Sequence, residues 1–195
     1  MFYVWIGFYG FNRKQMSHCR ETAKRMNSMH YTKRMARITA KRNHKIDDYM
    51  HKASRKIVNN CINENINTIV IGYNKDWKRD SKLSRIVNQS FIGLPTQRFI
   101  EMVQYKAQES GINVILTEES YTSGTSFLDN EMPTKQNYNK SRRVYRGLFV
   151  SDGRNKINAD INASYQILKK VFPKAYVDGI EGVVLHPVRV NAAFV

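Results

Sequence analysis

The stretch Lys156-Ile-Asn-Ala-Asp-Ile-Asn-Ala-Ser-Tyr-Gln-Ile-Leu168 decides how this chain is read. It sets one carboxylate, Asp160, where an extended segment gives way to an amphipathic helix. Ahead of it lies a hinge rich in Gly and Asn, Ser151-Asp-Gly-Arg-Asn-Lys-Ile-Asn158. Behind it Ile161, Tyr165 and Leu168 recur at helical spacing, and Ile167 widens the apolar stripe. Two roles are open to an aspartate in that place. Its oxygens accept hydrogen bonds from free N–H groups and so cap a helix. Equally, a packed first turn holds a carboxylate rigidly, as a metal ligand must be held.

Upstream, Thr68-Ile-Val-Ile-Gly72 is a short β-branched run bounded by polar residues, which predicts a buried strand. After Leu94-Pro95, residues 97–110 read as a helix with Phe99, Ile100, Val103 and Ala107 on its buried face. Gly111 closes that helix in the C-cap manner. Asn113-Val-Ile-Leu-Thr-Glu-Glu119 reads as a second buried strand that runs into two carboxylates. Helix, strand, helix, strand and then the Asp160 helix predict an α/β sheet of parallel strands joined by crossovers. In such sheets sites gather at the carboxyl ends of strands. Glu118 and Glu119 stand at such an end, and Asp160 opens the following helix, so the two regions can converge. Side chains alternate along a strand, so one of the two glutamates points to the site and the other away. The structural alternative is a pair of surface acids partnered by nearby arginines.

Charge sets the partner. The 195 residues carry a formal charge of +16, with 42% hydrophobic and 11% aromatic content, which fits a folded domain with one substantial core. Residues 1–60 alone hold fourteen Lys or Arg against three Asp or Glu. Such an excess calls for an anionic partner, most commonly nucleic acid. Residues 12–65 read as basic and helical, an antiparallel pair breaking near Asn27-Ser28 or Tyr31-Thr32, with Met26, Met29, Met35, Ile38 and Ile46 as apolar thread. Lys41, Arg42, Lys52 and Arg55 on it are candidate phosphate contacts. Residues 73–90 read as a basic loop in which Trp77, among Lys75 and Lys78, either stacks on a base or plugs a gap beneath the loop. Residues 121–150 form a long insertion, expected to be functional, in which Arg142, Arg143 and Arg146 are further contacts. Residues 173–195 read as a closing strand or arm.

Cys19 and Cys61 allow one bridge at most, which argues for a reducing compartment. The start, Met1 to Phe11, is apolar but too short to span a bilayer and lacks a basic leader, so no membrane segment is expected. Its aromatic density suggests one half of a core.

A basic protein that keeps carboxylates at a strand end suits phosphodiester cleavage. Two divalent ions about 4 Å apart activate water and stabilise the leaving oxygen, and clustered Asp and Glu hold them. Magnesium prefers oxygen ligands, so cysteines are not needed.

These residues resemble the C-terminal part of the TnpB (OrfB-type) proteins of insertion sequences, which are RNA-guided DNA endonucleases related to the ancestors of type V CRISPR effectors. The resemblance runs through Lys41-Arg-Asn-His-Lys-Ile46, His51-Lys-Ala-Ser-Arg55, Ile69-Val-Ile-Gly-Tyr-Asn-Lys-Asp-Trp-Lys78 and Tyr105-Lys-Ala107. It continues through Glu118-Glu-Ser-Tyr-Thr-Ser123, Arg146-Gly-Leu-Phe149 and Ile157-Asn-Ala-Asp-Ile-Asn162. It implies an RNase H-like (RuvC-like) nuclease fold, a magnesium or manganese cofactor, DNA and guide RNA as partners, and a cytoplasmic, nucleoid-associated location. Asp160 matches the family's last catalytic aspartate. The strand that often carries the middle acid reads Ile71-Gly72-Tyr73; the relocated acid of part of the family falls best on Glu119, and second on Glu118. Residues 121–126 stand where a zinc ribbon begins, but other residues hold its cysteine positions, so no zinc is expected. The family's first aspartate lies upstream of everything here. The resemblance therefore implies an N-terminally truncated nuclease, completed by a missing portion or a partner chain, or else a nuclease-inactive DNA- and RNA-binding module. Its expected regions are a basic helical part (1–65), a core (66–172, insertion 121–150) and an arm (173–195).

Overall fold

The structure is a computed structural model, and it describes residues 16–25, 32–74, 95–145, 147–174 and 185–187. Residues 16–25 are helical (α1). The long helix α2, Lys33–Asn63, contains neither Gly nor Pro. Thr32 starts it: its hydroxyl accepts from the Met35 N–H at 3.3 Å, an N-cap bond. It stops where Asn65 turns left-handed (φ 54°), so that the Ile66 and Asn65 N–H groups reach back to the carbonyls of Cys61 and Ile62. Helix α3, Thr96–Glu109, ends in the same manner at Gly111 (φ 71°), where the sequence placed its stop. Of the expected apolar thread, Met35 and Ile46 are buried, while Met26 and Met29 lie outside the described residues. So do residues 75–90, with Lys75, Trp77 and Lys78, and Arg146 in the insertion.

The chain divides into two compact units that interleave in sequence. Among the described residues, the first holds α1, α2 through Asn60 and α3 through Lys106. Its core is Ile46 and Met50, one turn apart on α2, with Met102 and Phe99 of α3. Arg98 pairs with Asp47 at 2.7 Å, and the buried Lys106 ammonium donates to the His51 carbonyl and the Ser54 hydroxyl, each at 2.7 Å.

The second unit carries both sheets. Strands β1 (Thr68–Gly72) and β2 (Asn113–Thr117) run parallel and in register from Thr68 opposite Asn113 to Gly72 opposite Thr117. This confirms the expected α/β character: α3 lies between the two strands in sequence. A 3-10 turn at Lys140–Arg142 leads to β3 (Arg143–Tyr145), β4 (Leu148–Val150) and β5 (Lys156–Asn158), an antiparallel sheet in that order. Helix α4, Ala159–Val171, follows directly and packs on β1 and β2. Beneath it Phe149, Ile157 and Ala159 form a core joined by Leu128, Ile161 and Tyr165, with Phe127 stacked on the Tyr165 ring at 4.6 Å. From the tail, Leu185 accepts from the Asn158 N–H at 3.0 Å, along the outer edge of β5.

Three expectations need correction. Residues 151–155 are not a hinge but the turn of the β4–β5 hairpin, closed by the Ser151 N–H on the Asn155 carbonyl. Residues 121–150 are not an open basic loop: Thr125, Ser126 and Phe127 are fully buried, and two strands lie within the segment. The deepest face of α4 is not its apolar stripe. Asn162, Gln166 and Lys169 are buried there, whereas Ile161, Tyr165, Ile167 and Leu168 are only half-buried. The reason is local. Asn162 and Lys169 hydrogen-bond the backbone of residues 125–130, which has no strand partner of its own.

Candidate active site

The parallel strands deliver Glu119 to the end of β1. A Cβ placed on Gly72 would lie 3.3 Å from the Glu119 Cβ, and 2.5 Å from Cδ1 of Ile167 on α4. Position 72 is thus glycine because Glu119 and Ile167 already fill the space a side chain would take. The turn that carries Glu119 is tied down on both sides. The Thr122 N–H and hydroxyl donate to the Glu119 carbonyl at 3.3 and 2.8 Å. Lys170, on the last turn of α4, donates to the Glu118 carbonyl at 2.9 Å and the Ser120 hydroxyl at 3.1 Å.

Asp160 occupies the first turn of α4, but it does not cap the helix. That role belongs to Asn158, whose side-chain oxygen accepts from the Asp160 and Ile161 N–H groups at 2.9 and 3.2 Å. The Asp160 carboxylate is 83% exposed, and Arg143 stands 3.5 Å from it. Its position gains from the positive end of the helix dipole. Gly72 thus has both the Glu119 Cβ and the Ile167 side chain as neighbours, and Ile167 stands seven residues beyond Asp160, about 10 Å of helix axis. Glu118 and Glu119 are both exposed. Among the described residues no group of three or more His, Cys, Asp or Glu is placed to hold a metal ion.

Behind Asp160, a polar framework fixes the helix. The Asn162 amide, fully buried, donates to the Thr125 carbonyl at 2.8 Å and accepts from the Phe127 N–H at 2.9 Å. Lys169 donates to the Asn130 carbonyl at 2.8 Å and to its side chain. Between these clamps lies Glu131, which accepts from the Ser126 N–H at 2.8 Å and from Arg142 at 2.6 and 2.9 Å. Arg142 also holds Asp152, and Asp129 accepts the Asp152 N–H at 2.8 Å. Burial alone would raise the Glu131 carboxyl; the Arg142 and Ser126 hydrogen bonds outweigh it and hold the group below its ordinary value. Asp129 is likewise held low, its burial outweighed by the Ser126 hydroxyl and the Asp152 and Gly153 N–H groups. Bonds from Glu131, then Asp152, raise the affinity of the Arg142 guanidinium for its proton.

This framework removes one expected nucleic-acid contact. Arg142, its side chain only 10% exposed, is committed to Glu131 and Asp152. The other basic candidates divide. Lys41 is exposed, Lys52 pairs with Asp48 at 3.1 Å one turn away, and Arg42 reaches the Asn43 side chain. Arg55 is half-buried, and Arg143 faces Asp160. Sequence reading missed Asp129, Glu131, Asp152, Asn162 and Lys169. The signal for the last two was present: with Gln166 they repeat at i, i+4, i+7, a polar stripe that a search for apolar periodicity passes over.

Two family models match the chain in succession. One, OrfB_IS605, described as a probable transposase, covers residues 8–78. The other, the TNB domain of the Cas12f1-like family, covers residues 97–167. Over these two segments the chain is similar to TnpB-type proteins. No curated protein matches it in sequence. Among solved structures it is similar to a chain in the cryo-EM structure of the Cas12f1–sgRNA–target DNA complex, with a TM-score of 0.57 and 20% identity. The likeness is one of fold; it covers 82% of this chain and 41% of that one. The chain thus spans less than half the length of that relative. Among the described residues, no helix is long and apolar enough to cross a membrane.

Proposed function

We propose that this chain is the nuclease-bearing part of a transposon-encoded, RNA-guided DNA endonuclease with an RNase H-like (RuvC-like) core. Glu119 and Asp160 are its metal-binding carboxylates, and Glu118 is turned from the site. The carrying observation is that Glu119, two residues past β2, stands beside Gly72 at the end of β1. The relative that shares the fold was solved with a guide RNA and target DNA, which supports both as partners here. The positive charge of +16 fits that pairing.

The donor chemistry fits magnesium or manganese, since both carboxylates offer hard oxygens. When bound, the ions would activate water and stabilise the leaving oxygen of a phosphodiester. Glu119 and Asp160 hold opposite sides of the site, and Lys170 and Thr122 fix the turn that presents Glu119. Asn158 and Asn162 fix the turn that presents Asp160. Arg143 neutralises Asp160 until phosphate draws the guanidinium away.

The test is magnesium-dependent cutting of single-stranded DNA by the chain, compared with Glu119→Ala and Asp160→Ala. Both substitutions should abolish cutting; activity that persists in both refutes the assignment. A second reading, a module that binds DNA or RNA without cutting, is favoured by the count of two carboxylates. It predicts no cutting by the wild type and RNA affinity that falls steeply with salt, as several phosphates are neutralised together. A flat salt response excludes it.

A further inference from the structure

On β3, the Val144 and Tyr145 side chains are 59% and 64% exposed, the most exposed large hydrophobic residues described. Single exposed hydrophobic residues are ordinary; the position of this one is not. Among the described residues β3 is the open edge of its sheet, since Leu185 lies along the far edge of β5. Open apolar edges invite partners.

The register shifts between Arg143 and Tyr145, so that Arg143 stands opposite Phe149 and Tyr145 opposite Leu148. Tyr145 pairs with Leu148, and Leu148 with Asn158, so the three share one row and one face of the sheet. The neighbouring row, Phe149 with Ile157, is fully buried on the opposite face. The outward row therefore begins at an exposed phenol and ends at Asn158, the cap of the Asp160 helix. Two strand spacings, about 10 Å, separate Tyr145 from Asn158. That corresponds to about three stacked nucleotides at about 3.4 Å each. Lys156, two residues before Asn158 and on the same face, is exposed, whereas Arg143 stands in the neighbouring row, opposite Phe149, and pairs with Asp160. An aromatic ring, an exposed lysine on the same face and a carboxylate a few nucleotides away suit a single strand of nucleic acid, whose bases stack and whose phosphates pair.

We propose that Tyr145 is a substrate-positioning residue, a stacking platform for a base within a few nucleotides of the phosphate presented to Asp160. The proposal rests on the nuclease reading and adds to it the residue that sets strand position. The probe is a short fluorescein-labelled oligothymidine, titrated with the full chain in EDTA and followed by anisotropy. Tyr145→Ala and Tyr145→Leu should each weaken binding by about fivefold to a hundredfold, the range for one lost base stack. Tyr145→Phe should bind as the wild type does, because the ring is retained. The exposed position leaves the fold intact in all three, which circular dichroism verifies. Wild-type binding with Tyr145→Ala unchanged overturns the platform and leaves the nuclease reading standing. A wild-type chain that fails to bind oligothymidine overturns both. Self-association that is lost in Tyr145→Ala on gel filtration also overturns it, because the edge then belongs to a second copy.

Discussion

Gly72→Ala isolates the contact on which the site depends. The new Cβ would lie 2.5 Å from Cδ1 and 3.1 Å from Cγ1 of Ile167, and 3.3 Å from the Glu119 Cβ. Carbon atoms sit best at about 3.5–4.0 Å. Ile167 is β-branched and helical, so its χ1 is nearly fixed and Cγ1, at 3.1 Å, cannot swing aside even when Cδ1 turns about χ2. Overpacking of this kind costs about 1–3 kcal/mol. Replacing glycine gains back about 0.4–1 kcal/mol through the unfolded chain. Crowding wins, with a net loss of about 1–2 kcal/mol, or about 2–8 °C in melting temperature for a chain of this size. Adding Ile167→Ala removes the two nearest carbons. The double variant should then be more stable than the sum of the two single changes, by about 1 kcal/mol or more. Thermal denaturation of the four proteins closes the cycle, and DNA cutting should follow it, falling in Gly72→Ala and partly recovering in the double variant. Additivity within about 0.5 kcal/mol would refute the argument that Ile167 and Glu119 exclude a side chain from position 72.

Further outcomes follow from the capping and framework geometry. Asn158→Ala should cost about 1 kcal/mol by urea denaturation, the usual value of an N-cap, while Asp160→Asn should leave stability nearly unchanged. The reverse order would make Asp160 the cap. Arg142→Met should cost about 2–3 kcal/mol, since it leaves Glu131 part-buried and without its cation; a loss under about 0.5 kcal/mol contradicts the framework. Because Glu131 and Asp129 are held below their ordinary values of 4.5 and 3.8, their contribution is complete above those values. It should fade as pH falls through them toward the depressed folded-state values, because the unfolded chain there binds more protons. Melting temperature followed from pH 6 to about 3 should therefore drop more in the wild type than in Glu131→Gln.

What the sequence made legible was local. β1, α3 and its glycine stop, and the strand that ends at Glu118 and Glu119 all announce themselves through short-range pattern and turn chemistry. The alternation of strand and helix gave the parallel pairing. The choice between cap and metal ligand for Asp160 stayed open in the sequence because Asn158 and Asp160 are both good caps, and only backbone geometry separates them. The insertion was the largest miss. Its lysines and arginines looked like a solvated, phosphate-binding run, yet Arg142 is withdrawn by Glu131 and by Asp152, ten residues further on. Pairing between residues distant in sequence leaves no periodicity to detect. The polar face of α4 escaped for a related reason: Asn162 and Lys169 are buried because an irregular backbone at 125–130 needs partners, and irregular backbone is not written in any repeat.

Manganese binding tests the shared carboxylate site most directly. Titration of the full chain, with free Mn2+ followed by electron paramagnetic resonance, should show binding that is lost in Glu119→Ala and equally lost in Asp160→Ala. The double substitution should be no weaker than either single one, because both carboxylates serve one site. Wild-type affinity in either single variant would contradict a common site between β2 and α4.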